Sequence, residues 1–200
     1  MDIANELRER GVLDEEECFN DATFVMAKGG GAEVGPTKRG KGMKIMAIVD
    51  RHGLPLSVST HAANHHEVRL VQLCFDFYMI EAKPENLIGD RAYDSDPLDH
   101  ALRQDGIEMI APHRSNRTKP PTQDRRRLRR FLRRWLVERF FAWIRASWRY
   151  PRLTPWTLST GLRLRVSPIL PANLNVHCRS LVRALLHHRR RHFEGEAEPR

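Results

Sequence analysis

Apolar and β-branched residues recur in short runs along the first half of the chain. The first run, Cys18 to Met26 (CFNDATFVM), reads as a strand. MKIMAIVD (43–50), the turn RHG and LPLSVSTH (54–61) read together as a hairpin. Residues 65–78 carry Val68, Val71, Leu73 and Phe75 at spacings that suit an amphipathic helix. NLIGD (86–90) is a short apolar strand ending in an acid, and IEMIAP (107–112) is another. Between them, SDPLDHALRQDG predicts a helix from Asp96, with Pro97 as first helical residue and Gly106 as its stop. Residues 1–17 read as a short polar helix, RSNRTKPPTQD as a loop, and Arg125 to about Ala146 as one long helix. The order β-β-β-α-β-α-β-α predicts an α/β fold, a mixed sheet flanked by helices. After Tyr150 the pattern decays, broken by Pro151, Pro155, Pro168 and Pro171. No internal repeat is visible.

Composition narrows the class. The 200 residues suffice for one domain with a substantial core, and 40% hydrophobic with 30% charged residues is neither fibrous nor globally disordered. No apolar run approaches the roughly 18 residues a bilayer span needs, and MDIANELRERG lacks a signal-peptide apolar region. Three distant cysteines (Cys18, Cys74, Cys178) argue against a disulfide framework and for a reducing compartment. A cytoplasmic protein is expected.

Charge changes the picture more. The net charge is +9, yet His113 to Tyr150 alone carries thirteen Lys and Arg against Asp124 and Glu138. The same stretch holds Phe131, Trp135, Phe140, Phe141, Trp143 and Trp148, so it has a core-forming face. Basic side chains beside a packed aromatic helix predict binding to a phosphate backbone. The run HHRRRH (187–192) reads as a disordered tail.

Three acids stand where chemistry could be done. Asp21 lies inside the first strand, Asp90 ends NLIGD, and Glu138 is alone among the arginines of the last helix. Burying such acids is costly unless they are paired or hold a cation. Convergent carboxylates suit Mg²⁺ or Mn²⁺, and two such ions about 3.5–4 Å apart can cleave a phosphodiester.

NDATFV, KGGGAEVGPTKRGKGMKIMAIVDRHGLPL, IGDRAYDSD, IAPHRSNR and RRWLVERFF resemble the catalytic domain of DDE transposases of bacterial insertion sequences, the insertion sequence 5 group. The resemblance runs from about residue 10 to residue 144. It implies a ribonuclease-H-like fold and an Asp-Asp-Glu triad falling on Asp21, Asp90 and Glu138, which would ligate two Mg²⁺ or Mn²⁺ ions. It also implies DNA partners, both element ends and target, engaged as a homodimer. The related Tyr-x2-Arg-x3-Glu-x6-Lys signature reads here Phe131, Arg134, Glu138 and Arg145. On a continuous helix Arg134, Glu138 and Arg145 share one stripe. Lys38, Arg39, Lys41, Lys44, Arg114, Arg117, Arg130, Arg134 and Arg145 are the expected phosphate contacts. A His-Glu pair like His66–Glu67 also recurs in the family.

Other signals lead elsewhere. GPTKRGKG has the Gly-x4-Gly-Lys spacing of a phosphate loop, but Gly42 stands where Ser or Thr is needed and a strand follows, so a flexible basic loop is expected. His61, His65, His66 and Cys74 lack a second thiolate and read as histidines at a helix start rather than zinc ligands. Asp50 before Arg51-His52-Gly53 reads as a turn residue. The chain thus divides into a helical remnant (1–17), a catalytic domain (18–149) and an atypical tail (150–200). The tail, resembling a shifted reading frame, should pack poorly and leave Phe140, Phe141 and Trp143 partly exposed. Transposition is the leading function. A DNA-binding remnant without catalysis and a ribonuclease-H-like nuclease are the alternatives.

Overall fold

A computed structural model describes residues 3–27, 31, 34–76, 78, 80, 83–120 and 126–149. The expectations for residues 150–200 lie outside the described residues, as does part of the glycine-rich segment 28–33. Helix α1 (Ile3–Glu9) precedes strand β1 (Glu17–Met26), the hairpin strands β2 (Gly35–Thr37) and β3 (Gly40–Val49), and β4 (Pro55–Ala62). Then follow α2 (Glu67–Phe75), β5 (Asn86–Ile88), α3 (Asp96–Gln104), β6 (Glu108–Ile110) and α4 (Trp135–Arg149).

β3 pairs antiparallel with β1 on one side and with β2 and β4 on the other, while β5 and β6 continue the sheet in parallel beyond β1. The mixed α/β sheet expected from the pattern is present. Its core is aliphatic: Ile45, Met46, Ala47, Ile48 and Val49 of β3 are buried, as are Leu87, Ile88 and Ile110 of the parallel strands. β3 is apolar on both faces because helices cover both. Leu7, Val12 and Leu13 belong to the same core, so α1 and the residues after it pack onto the sheet.

Two expectations about local structure need correction. The segment 35–42 is not a flexible loop but the β2–β3 hairpin, in which Thr37 Oγ1 donates to the Gly40 carbonyl at 2.7 Å and accepts from the Arg39 amide at 3.1 Å. Gly40, at φ +110°, makes the tight reversal possible. The second correction concerns the basic segment, which is not one helix. Arg127–Arg134 is a 3₁₀ helix that gives way to α4 at Trp135.

The acids of the sheet explain the 3₁₀ turn. Glu17, Asn86 and Glu108 stand side by side in register on β1, β5 and β6. A 3₁₀ helix eclipses residues three apart and rises about 2 Å per residue, so six residues cover about 12 Å. Strands are spaced about 4.8 Å apart, and three of them span about 10 Å. Arg127, Arg130 and Arg133 therefore line up along the row. Arg127 pairs with Glu108, Arg133 pairs with Glu17, and Arg130 reaches both Glu17 (3.2 Å) and the Asn86 amide oxygen (3.0 Å). Leu128 and Phe131, also three apart, pack on the core.

α4 buries Leu136, Val137, Phe140, Phe141 and Ile144, a stripe at helical spacing, and packs on β1 and β3. Phe140 and Phe141 are 4% and 3% exposed, which corrects the expectation that they stay uncovered. The sheet itself supplies the cover. Each such ring contributes on the order of 1.5–3 kcal/mol.

Candidate active site

Asp21 sits in the middle of β1, paired across to Ala47, on the face that receives α4. Asp90 follows β5 directly and caps a single 3₁₀ turn (Arg91–Tyr93), its Oδ1 accepting the Ala92 amide at 2.7 Å. The turn is tight enough to demand Gly89, where a Cβ would come within 2.6 Å of Met109 Cε and 2.7 Å of the Tyr93 ring. Glu138 lies in the first turn of α4.

One side chain connects two of these acids. Arg134 Nη1 donates to Asp21 Oδ2 at 2.9 Å, and its Nη2 donates to Glu138 Oε1 at 2.7 Å. Asp21 and Glu138 are far apart in sequence, yet a single guanidinium spans them. Among the described residues, no three His, Cys, Asp or Glu side chains are grouped so as to hold one metal ion. The expected stripe is also altered, because Arg134 ends the 3₁₀ segment and only Glu138 and Arg145 lie in α4. Arg145 bonds the Thr23 hydroxyl, two residues along β1 from Asp21.

Electrostatics group further side chains around Asp21. Burial pushes its carboxyl up to about 6; the Ala22 amide and Arg134 oppose this, and the charges of Asp90 and Glu67 add to it. Tyr93 is fully buried, its hydroxyl has no hydrogen-bond partner among the described residues, and burial first, then Glu67, Asp21 and Asp90, hold its proton on. Glu67 opens α2 and pairs with Lys44 of β3 at 3.2 Å. Glu67 and Tyr93 are the neighbours that residue-type reasoning did not place. The motifs HHE and RAYDSD contain both, and an acid at a helix start beside a basic strand was the available signal.

The expected phosphate contacts separate into two sets. Lys38, Arg39 and Lys41 are exposed on the β2–β3 hairpin and make no ion pair among the described residues. The others are engaged within the chain. Lys44 bonds Glu67 and the His65 carbonyl, and Arg114 bonds the Arg91 and Ala92 carbonyls. Arg117 forks between Asp94 (2.7 Å) and Asp96 (2.8 Å), Arg130 joins the sheet-end row, and Arg134 and Arg145 are placed as above.

The remaining candidates have structural roles. Asp50 is buried at the β3–β4 turn, where it accepts the His52 (2.9 Å), Leu54 (2.7 Å) and Asp14 (3.2 Å) amides. His61 Nε2 lies 2.9 Å from the Ser59 hydroxyl, and the Cys74 thiol bonds the Leu70 carbonyl at 3.3 Å. Cys18 and Cys74 are free and buried. No helix among the described residues is long and apolar enough to cross a membrane.

A family profile described as Transposase DDE domain matches residues 13–155, well over half of the chain. The chain belongs to the Transposase DDE domain family. That match covers Asp21, Asp90, Glu138 and the whole described sheet. The α/β fold class implied by the sequence is present as a six-stranded sheet, antiparallel through β1, β2, β3 and β4 and extended in parallel by β5 and β6. No curated protein matches the chain significantly.

Solved structures give distant likenesses. The piggyBac transposase synaptic complex with hairpin DNA aligns at 14% identity and TM-score 0.41, over 62% of this chain and 31% of that one. The HTLV-2 integrase catalytic core domain in complex with magnesium aligns at 16% identity and TM-score 0.46, over 78% of this chain and 99% of that one. The catalytic domain of Mos1 mariner transposase aligns at 10% and 0.34, over 68% and 76%. The chain thus spans about a third of the piggyBac protein. Family membership rests on the profile match.

Proposed function

We propose that this chain is the catalytic domain of a bacterial insertion-sequence transposase of the insertion sequence 5 group, cutting and joining DNA through Asp21, Asp90 and Glu138. The observation that carries the reading is the Arg134 bridge, which brings the carboxylates of β1 and α4 to one point beside the end of β5. Ligands of open α/β sheets collect at such strand ends.

The donor set suits the divalent ion the family implies. Asp21 is a largely buried carboxylate paired with Arg134, and the Tyr93 hydroxyl, buried and without a hydrogen bond among the described residues, feels the charges of Asp21 and Asp90. Hard oxygen ligands of this kind favour Mg²⁺ or Mn²⁺. Asp21, Asp90 and Glu138 would hold it. Bound there, such ions activate water or a hydroxyl and stabilise the leaving oxygen of a phosphodiester.

The chain's own residues do the rest. The hairpin cations Lys38, Arg39 and Lys41 draw in DNA phosphates, and the element ends and target DNA are the substrates. Arg145, anchored on Thr23, sets a positive charge beside the acids. A homodimer on DNA completes the proposal. The exposure of Glu138, whose side chain is 53% accessible, favours one alternative, a DNA-binding remnant without catalysis.

Nicking of supercoiled DNA by the full chain in Mn²⁺ decides between them. Wild type should nick, and Asp90→Ala and Glu138→Gln should each lose at least about a hundredfold, as removal of one transition-state group does. Equal nicking by wild type and Asp90→Ala would overturn the assignment, and DNA binding without any nicking would establish the remnant.

A further inference from the structure

We infer that Arg134 is a built-in placeholder for the active-site cation, released by DNA, so that DNA and metal bind cooperatively through one side chain. The inference rests on the proposed catalytic site and adds a device to it. The guanidinium forks between Asp21 Oδ2 at 2.9 Å and Glu138 Oε1 at 2.7 Å, so it uses the oxygens a divalent ion needs. The Asp21 side chain is only 14% exposed, so a carboxylate that lost this partner would be poorly hydrated until another cation replaced it. An ion and Arg134 are thus mutually exclusive occupants of the same oxygens.

Arg134 has somewhere else to go. Its side chain is 24% exposed, stands 5.4 Å over the Phe131 ring, and sits at the junction of the 3₁₀ segment and α4. A DNA phosphate offers two non-bridging oxygens to which a guanidinium can donate as a bidentate, charge-assisted partner. Transfer of the fork from Asp21 and Glu138 to a phosphate vacates both carboxylates together. Substrate would thus free the two carboxylates for a metal, and without DNA Asp21 and Glu138 stay paired with Arg134. Neighbouring Lys44–Glu67 shows the same pairing of a cation with an acid, at 3.2 Å. Linkage requires reciprocity: metal must strengthen DNA binding by the factor by which DNA strengthens metal binding.

The test titrates Mn²⁺ into the full chain, following free ion by electron paramagnetic resonance, with and without a duplex oligonucleotide. In wild type the oligonucleotide should tighten Mn²⁺ binding at least about fivefold. Arg134→Gln should bind Mn²⁺ at least about fivefold more tightly than wild type without DNA, and its DNA enhancement should vanish. Arg134→Lys, which carries the charge but cannot fork, should fall between them. An Arg134 that only contacts phosphate or only braces the fold would leave Mn²⁺ affinity unchanged or lower in Arg134→Gln, and that result overturns the inference. Lack of DNA enhancement in wild type overturns it without any variant. Absence of Mn²⁺ binding to wild type under both conditions would instead reject the proposed metal site itself, and a wild type that binds Mn²⁺ as Asp90→Ala does would reject it equally.

Discussion

The β2–β3 hairpin and the 3₁₀ segment are both dense in positive charge, and they use it oppositely. On the hairpin, Lys38, Arg39 and Lys41 project from a reversal whose polar contacts are made by Thr37 and the backbone. On the 3₁₀ segment, Arg127, Arg130 and Arg133 face the strand-end row of Glu17, Asn86 and Glu108, and Arg134 faces two further acids. The richer region in sequence is therefore the poorer one in free charge. Arginines pair inward wherever carboxylates are placed at the matching spacing, because a buried Glu17 left alone would cost more than the lost hydration of the guanidinium. Counting basic residues locates a charged segment. It does not locate the surface that meets DNA.

The sharpest way to break this comparison is to remove the inward-facing charges. Arg130→Ala with Arg133→Ala strips both partners from Glu17, which is 5% exposed, and should cost about 3 kcal/mol of stability. Denaturant unfolding measures the loss, and DNA affinity of the folded fraction should hardly change. A double variant as stable as wild type, binding DNA far more weakly, would reverse the roles assigned here.

The opposite pattern is expected of the hairpin. Lys38→Ala, Arg39→Ala and Lys41→Ala together should lower the slope of log affinity against log salt by about 2.7, and weaken binding about a hundredfold at 0.1 M salt. The melting temperature should stay within about a degree or two, since exposed charges contribute little to folding. An unchanged salt slope would remove the hairpin from the DNA-binding surface.

A smaller effect sharpens the comparison through pH. Burial alone would push Asp94 up, but the Arg114 amide, His113 and Arg117 together hold its carboxyl below the usual range. Asp94 therefore contributes stability that is present above its unfolded value near 3.9, and that is lost as pH falls through its lowered folded value. Asp94→Asn should cost about 1 kcal/mol at pH 7, with the gap to wild type closing as pH falls below about 4. Thermal melts between pH 3 and pH 7 follow this directly. A gap independent of pH would mean that Asp94 works through packing, not through charge.

The apolar runs of β1, β3, β4, β5 and β6 were legible because their hydrophobicity is local: a strand buried on a face announces itself residue by residue. The same holds for α3, whose Pro97 start and Gly106 stop (φ +77°) are local chemistry, and for Asp50, recognisable as a turn residue from its own neighbours. Family membership was legible too, since the motifs are short and contiguous. The acids Asp21, Asp90 and Glu138 could be named from their places inside a strand, at a strand end and alone among arginines, without any knowledge of their contacts.

Everything that depends on two distant segments meeting was decided by the tertiary structure. The 3₁₀ turn at Arg127–Arg134 exists because its threefold period matches the row of Glu17, Asn86 and Glu108 on three strands, and no helix rule applied to RLRRFLRR alone contains that row. Phe140 and Phe141 are covered because α4 lies on β1 and β3. Glu67 comes near Asp21 and Tyr93 only because α2, which follows β4, packs against β3 and the turn after β5. The partner of each charge follows the same logic. Hydrophobic periodicity is a property of the chain and can be read along it, whereas an ion pair is a distance in space, set only when the sheet has brought its two residues together.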